Sequence, residues 1–128
     1  MTPLEVALGY IAAFSSGDPD QVADRVTADF ANNQMGVLGS RFAGRDLYRT
    51  RLAGFLKQFE GISYTVASPI VQGNVVAAPY VMTASDAGRP LRIEGVMMIT
   101  VEGDLVAQRD DYWDGLTYFR QIGVDLPL

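Results

Sequence analysis

From Ile62 onward the chain alternates. Apolar and polar residues trade places with period two over residues 62–72, 75–84, 91–101 and 105–113. The runs are separated by Gly73-Asn74, Asp86-Ala87-Gly88 and Glu102-Gly103-Asp104. Period two is the mark of a strand with one buried face. Short Gly, Asn and Asp segments are the chemistry of hairpin turns. Connections this short make successive strands antiparallel neighbours. The second half of the chain is therefore committed to a four-strand meander, and an apolar sheet face must be covered by something.

The first half supplies the cover. Thr2-Pro3-Leu4-Glu5 reads as a helix start, with Thr2 as cap, Pro3 in the first turn and Glu5 completing a capping box. Leu4, Leu8, Ile11 and Phe14 share roughly one face, and Gly17 ends the helix. Asp18-Pro19 caps a short second helix carrying Val22 and Val26. Residues 30–35 read as extended, and Gly36 and Gly39 as loop. Gly44-Arg45-Asp46 leads into a third helix whose apolar positions are Leu47, Leu52, Phe55, Leu56 and Phe59. Helices followed by a meander imply an α+β fold with helices on one face of a curved sheet. Residues 1–128 show no linker, repeat or low-complexity segment, so a single domain is expected.

Alternation assigns the faces. Leu91, Ile93, Gly95, Met97, Ile99 and Val101 form one wholly non-polar face. Val76, Ala78, Tyr80, Met82 and Ala84 form a second inner set, with the Tyr80 hydroxyl its one polar head. In the last run Leu105, Ala107, Arg109, Asp111 and Trp113 fall together. Arg109 and Asp111 are thus charges on an inner face, an arrangement that is either paired or working. Asp110 and Asp114 fall on the outside.

The chain has no histidine, and it has no cysteine. Proton transfer is left to Asp, Glu, Tyr or Lys, and no metal site or other cofactor is expected. A net charge of −5 argues against nucleic acid and anionic membrane as partners. The Arg41, Arg45, Arg49, Arg51 run reads as a solvated face. No targeting or membrane-spanning segment is evident, so a cytoplasmic protein is the default expectation.

Taken together, the helix order, the meander and the Tyr112-Trp113 end resemble the SnoaL-like proteins of the nuclear-transport-factor-2-like superfamily. That resemblance covers nearly the whole chain. It implies a cone-shaped α+β fold, with three N-terminal helices packed on a strongly curved, mainly antiparallel sheet around an apolar pocket. Tyr10-Ile11 ahead of Ser16-Gly17-Asp18 is similar to the oxyanion-hole tyrosine context of ketosteroid isomerases. The two aspartates of those isomerases fall at about Met35 and Gly95. Gly44-Arg45-Asp46, Leu52-Ala53-Gly54-Phe55 and Asp111-Tyr112-Trp113-Asp114 are similar to limonene-epoxide hydrolases, which places Asp111 on a catalytic aspartate. The paired Arg and Asp of those hydrolases fall at about Tyr80 and Met82, and their water-holding Tyr and Asn near Asn33 and Met35. SnoaL-like polyketide cyclases resemble the pattern in relying on one pocket aspartate without metal or cofactor.

The resulting expectation is a cofactor-free acid/base enzyme acting on a small apolar oxygenated molecule. The reaction would be isomerisation, aldol-type cyclisation or elimination. The alternatives are water addition to an epoxide, or a passive binding or assembly domain. Asp111 would be the acid/base, with Tyr10 as a donor to a substrate oxygen and Arg109 orienting the carboxylate. The competing readings are a plain Arg109–Asp111 ion pair and a core tyrosine at position 10. Asn33, Met35, Tyr80, Met82, Met97, Trp113 and Phe55 are the candidate pocket lining, the methionines and Phe55 also being ordinary core choices. Homodimerisation follows from the resemblance, through an outer sheet face carrying Val96, Met98 and Tyr112.

Overall fold

A computed structural model describes residues 1–126. Helix α1 spans Pro3–Ala13 and opens with the expected capping box. The Glu5 N–H donates to Thr2 Oγ1 and the Thr2 N–H to Glu5 Oε1, both at 3.2 Å. A 3₁₀ turn, Phe14–Ser16, follows and closes at Gly17, whose φ of 70° is left-handed. The buried stripe of α1 is rotated from the expected one: Val6, Ala7, Tyr10 and Ile11 are buried, while Leu4 and Leu8 are half-buried. Asp18 caps α2, Pro19–Ala23.

Helix α2 is only five residues long, and Val26 is not on it. That residue opens β1, Val26–Gln34, which is earlier and longer than expected. The short strand β2, Arg41–Ala43, follows the glycine loop, and then α3, Arg45–Gln58. Leu47 on α3 is exposed, and Tyr48 takes its place in the core beside Leu52 and Leu56. These three fall at i, i+4 and i+8, so they share one stripe of the helix.

The meander follows as β3, Phe59–Val66; β4, Ile70–Gln72; β5, Val75–Asp86; β6, Arg89–Glu102; and β7, Leu105–Trp113. The expected single run at 62–72 is two strands. Ser68 breaks it with a φ of 53°, and β3 and β4 pair with different stretches of β5. The sheet order is β2-β1-β7-β6-β5-β3, with β4 also on β5. Pairings along the meander are antiparallel, whereas β1 runs parallel to β7. No hairpin joins those two strands, so nothing local forces them to be antiparallel.

The sheet is curved around the helices, and register shifts interrupt β3–β5, β6–β7 and β1–β7. Such bulges bend a strand and re-aim its side chains. At the β6–β7 shift, Thr100 pairs with Gln108 but Val101 with Val106, leaving Ala107 over. Val106 is fully buried as a result, and Leu105 and Ala107 leave the inner face that strict alternation gave them. Beyond the shift the expected frame holds, so Arg109 and Asp111 point inward. A final helix, α4, spans Gly115–Gln121 and is capped by Asp114, which accepts from the Thr117 N–H at 3.1 Å. Among the described residues no helix is long and apolar enough to cross a membrane.

Candidate active site

The concave face of the sheet and α3 enclose a cavity of about 560 Å³. Its walls are aromatic. Phe14 meets Tyr64 edge-on at 5.2 Å, and Phe55 lies 4.8 Å from Phe59. Trp113 and Tyr118 close the side formed by the end of β7 and α4.

Two strands on either side of β6 build the polar part of this cavity. The β7 alternation carries Arg109, Asp111 and Trp113 to it, and β5 carries Tyr80 and Met82. Asp111 is 3% exposed and Arg109 4% exposed. Arg109 Nη2 donates to Asp111 Oδ2 at 2.9 Å, and the Tyr80 hydroxyl donates to Asp111 Oδ1 at 2.7 Å. The Arg109 guanidinium also faces the Phe14 ring at 5.4 Å, a cation–π contact. Two donors on lining residues, Arg109 Nε and Trp113 Nε1, are buried with no acceptor among the described residues. Buried donors without a partner are costly, and each can receive an oxygen.

Burial sets the electrostatics. Desolvation pushes the Asp111 carboxyl above its ordinary value of 3.8, and Arg109 and the Tyr80 hydroxyl pull it back without cancelling the rise. Burial likewise raises the Tyr80 and Tyr64 phenols, and the nearby Asp111 charge adds to both. Those phenols are donors, not bases, at any ordinary pH. Burial opposes the Arg109 charge, yet the Asp111 carboxylate beside it favours the protonated guanidinium.

Of the residues expected at the site, Asp111, Arg109, Tyr80, Met82, Trp113 and Phe55 come together around the cavity. Four others do not. Asn33 turns to the opposite sheet face, where its Nδ2 donates to Asp110 Oδ1 at 2.8 Å. Its neighbour Asn32, in register with Arg109, is the residue that reaches the cavity. Met35 lies past the end of β1, with its sulfur 3.4 Å from Arg41 Nη2. Met97 is fully buried in the core and does not reach the cavity. Tyr10 is completely buried behind the cavity wall, its hydroxyl 2.5 Å from that of Tyr48. Tyr48, whose ring packs 4.6 Å from Phe30, lines the cavity in its place.

Sequence reasoning also passed over Gln34, Arg51, Tyr64 and Tyr118, all of which line the cavity. For Tyr48 and Arg51 a signal existed: with Leu52 and Phe55 they fall at the i, i+3, i+4 and i+7 spacing of one helix face.

Gly95 lies opposite Trp113, at a position where the isomerase resemblance places an aspartate. A Cβ there would stand 2.5 Å from the Tyr112 carbonyl oxygen and 2.6 Å from the Tyr80 hydroxyl. The Tyr80 phenol therefore needs a glycine beside it. Gly95→Ala is expected to lower stability by about 1–3 kcal/mol, an overpacking cost. Its urea midpoint reads this directly, and a midpoint equal to wild type would refute the close packing.

A cone of helices on a curved sheet around a lined cavity defines the class, and known structures share it. A protein with a ketosteroid isomerase-like fold from Catenulispora acidiphila, in complex with trimethylamine, superposes with a TM-score of 0.85 at 19% identity, covering 98% of this chain and 96% of that one. IdmH, a candidate polyketide cyclase from Streptomyces antibioticus, gives 0.80 at 20% identity, covering 97% and 100%. An LEH-like epoxide hydrolase from M. tuberculosis gives 0.80 at 16% identity, covering 93% and 87%. At such identities these likenesses show the fold. The chain belongs to the SnoaL-like domain family, which matches residues 7–109. No curated protein matches the sequence.

Proposed function

We propose that this protein is a cofactor-free acid/base enzyme that moves a proton on a small, apolar, oxygenated molecule. The observation that carries the reading is a carboxyl, Asp111, held by two donors in an aromatic cavity that raises its pKa. A carboxyl raised toward working pH is a better base than an exposed one. In the forward step, the Asp111 carboxylate takes a proton from the carbon next to a carbonyl. The C–H electron pair moves to the carbonyl oxygen, giving an enolate, and the proton later returns to a different carbon or to the product oxygen. Trp113 Nε1, Arg109 Nε and the Tyr48 hydroxyl are the donors available to that oxygen. Tyr10 acts through Tyr48 as a positioning residue, and Asn32 holds a second substrate oxygen.

One observation favours a passive pocket instead: both Asp111 oxygens already have donors. Proton exchange separates the two readings. The ketone 2-tetralone in D₂O, followed by NMR, is expected to exchange its α-protons faster with the protein than in buffer. A protein that binds 2-tetralone without accelerating exchange is a binding domain, and the enzyme reading then fails.

The outer sheet face supports assembly. Tyr112 is 52% exposed beside half-buried Val96 and Met98. We infer a homodimer through this face. Sedimentation velocity is expected to give a dimer that Tyr112→Glu converts to monomer, and a monomeric wild type would overturn it.

A further inference from the structure

Among the described residues, three that line the cavity carry full charges: Arg51, Arg109 and Asp111. Two cations face one anion, so the cavity is net positive in a chain whose formal charge is −5. Arg109 is committed to Asp111 at 2.9 Å. Arg51 makes no ion pair or hydrogen bond among the described residues, unlike Arg49, two residues before it, which pairs with Asp20 and Asp24. Its guanidinium carbon lies 4.5 Å from the centre of the Phe42 ring, itself a lining residue. Stacking on an aromatic face fixes the plane of a guanidinium and leaves its N–H edge free, the geometry that receives a carboxylate through two parallel bonds. The other polar residues of α3 that line the cavity, Tyr48 and Gln58, are neutral, and the Gln58 amide donates to Asp86 at 3.2 Å. Asp86 also accepts from Tyr118 at 3.1 Å, so its charge is turned onto those two groups.

We propose that the ligand is an anion, an apolar carboxylic acid whose carboxylate is taken by Arg51 at the exposed rim while its body lies against the aromatic walls. This rests on the small-molecule reading of the cavity and names the class of molecule. Arg51 is a specificity-determining residue, remote from the proton transfer at Asp111. The exposed arginine contributes selection for the anion, and the walls contribute the apolar affinity.

The test compares acids with their methyl esters. The probes are 2-naphthoic acid and 4-(2-naphthyl)butanoic acid, two lengths of body, titrated with Trp113 fluorescence as the readout. Trp113 is the chain's one tryptophan and lines the cavity. At least one acid is expected to bind about tenfold more tightly than its ester, the lower end for a hydrogen bond to a charged group. The preference should weaken with added salt. Arg51→Met should abolish it while ester affinity holds, and Arg51→Lys should keep part of it. Esters binding as well as acids, no binding of either pair, or a preference that survives Arg51→Met would each overturn the proposal. Neither acid has to react, so failure here leaves the 2-tetralone result standing, and a negative exchange result leaves this one standing.

Discussion

Asp111→Leu alone is expected to cost about 3–5 kcal/mol of folding stability, the range for breaking a buried ion pair from one side. The asymmetry of the pair makes the prediction sharper. Asp111→Leu strands the Arg109 guanidinium, which is 4% exposed. A guanidinium cannot shed its proton in a protein, so the stranded charge stays. Arg109→Met strands a carboxyl instead. That carboxyl can take up a proton, and burial already raises its pKa with Arg109 as the principal opposing influence. The Arg109→Met variant should therefore lose less than Asp111→Leu at neutral pH, and less still in acid. The double variant Arg109→Met/Asp111→Leu removes both charges in similar volume and should recover most of the loss. Denaturant unfolding of the four proteins gives the cycle. Equal losses from the two single variants, or additive losses in the double, would mean that Arg109 and Asp111 are not a desolvated pair.

That pair was half legible in the sequence. Alternation put Arg109 and Asp111 on an inner face, and with so short a spacing their pairing was an open alternative. The β-bulge at Ala107 was invisible, because nothing in Leu105-Val106-Ala107 marks which residue is surplus; only pairing with β6 decides it. The break at Ser68 did carry a signal that the alternating run obscured. Pro69 follows Ser68, and a Ser-Pro step favours a turn, here taken with Ser68 in the left-handed region. Asn32 and Asn33 are chemically identical neighbours, and a strand presents one to each side. The choice depends on the frame of β1, which itself shifts register between Val26 and Ala31. Helix α4 escaped because it buries none of its residues and so carries no apolar stripe to read. Its one clear signal, Asp114 as a cap, looked like a solvated charge. The capping box of α1, by contrast, involves two side chains at a fixed local spacing, and such local devices survive into the fold unchanged.

Asp111→Asn is expected to reduce 2-tetralone exchange by about 10²–10⁴-fold, the usual contribution of a positioned acid/base group. An amide keeps the size of the carboxylate and one acceptor, but it cannot take a proton. Because it also leaves Arg109 unbalanced, loss of exchange in this variant needs a folded companion. Arg109→Met/Asp111→Leu, expected to be stable, should be equally inactive. The pH dependence supplies the second signature. The base is the ionised carboxylate, so exchange should rise with pH and level off above the raised pKa of Asp111, with its midpoint displaced upward from 3.8. Tyr80→Phe removes the hydroxyl that favours the carboxylate, and its midpoint should move higher still. Stability runs the opposite way through the same window. The folded state binds this proton more tightly than the unfolded chain, so the contribution is full below the ordinary carboxylate value. It is lost as pH rises through the folded pKa. The protein therefore gains its base over the range in which it gives up stability, and the cavity that makes Asp111 reactive is the one that makes its ionisation costly. A midpoint at or below 3.8, or exchange that persists in both variants, would assign proton transfer to some other group.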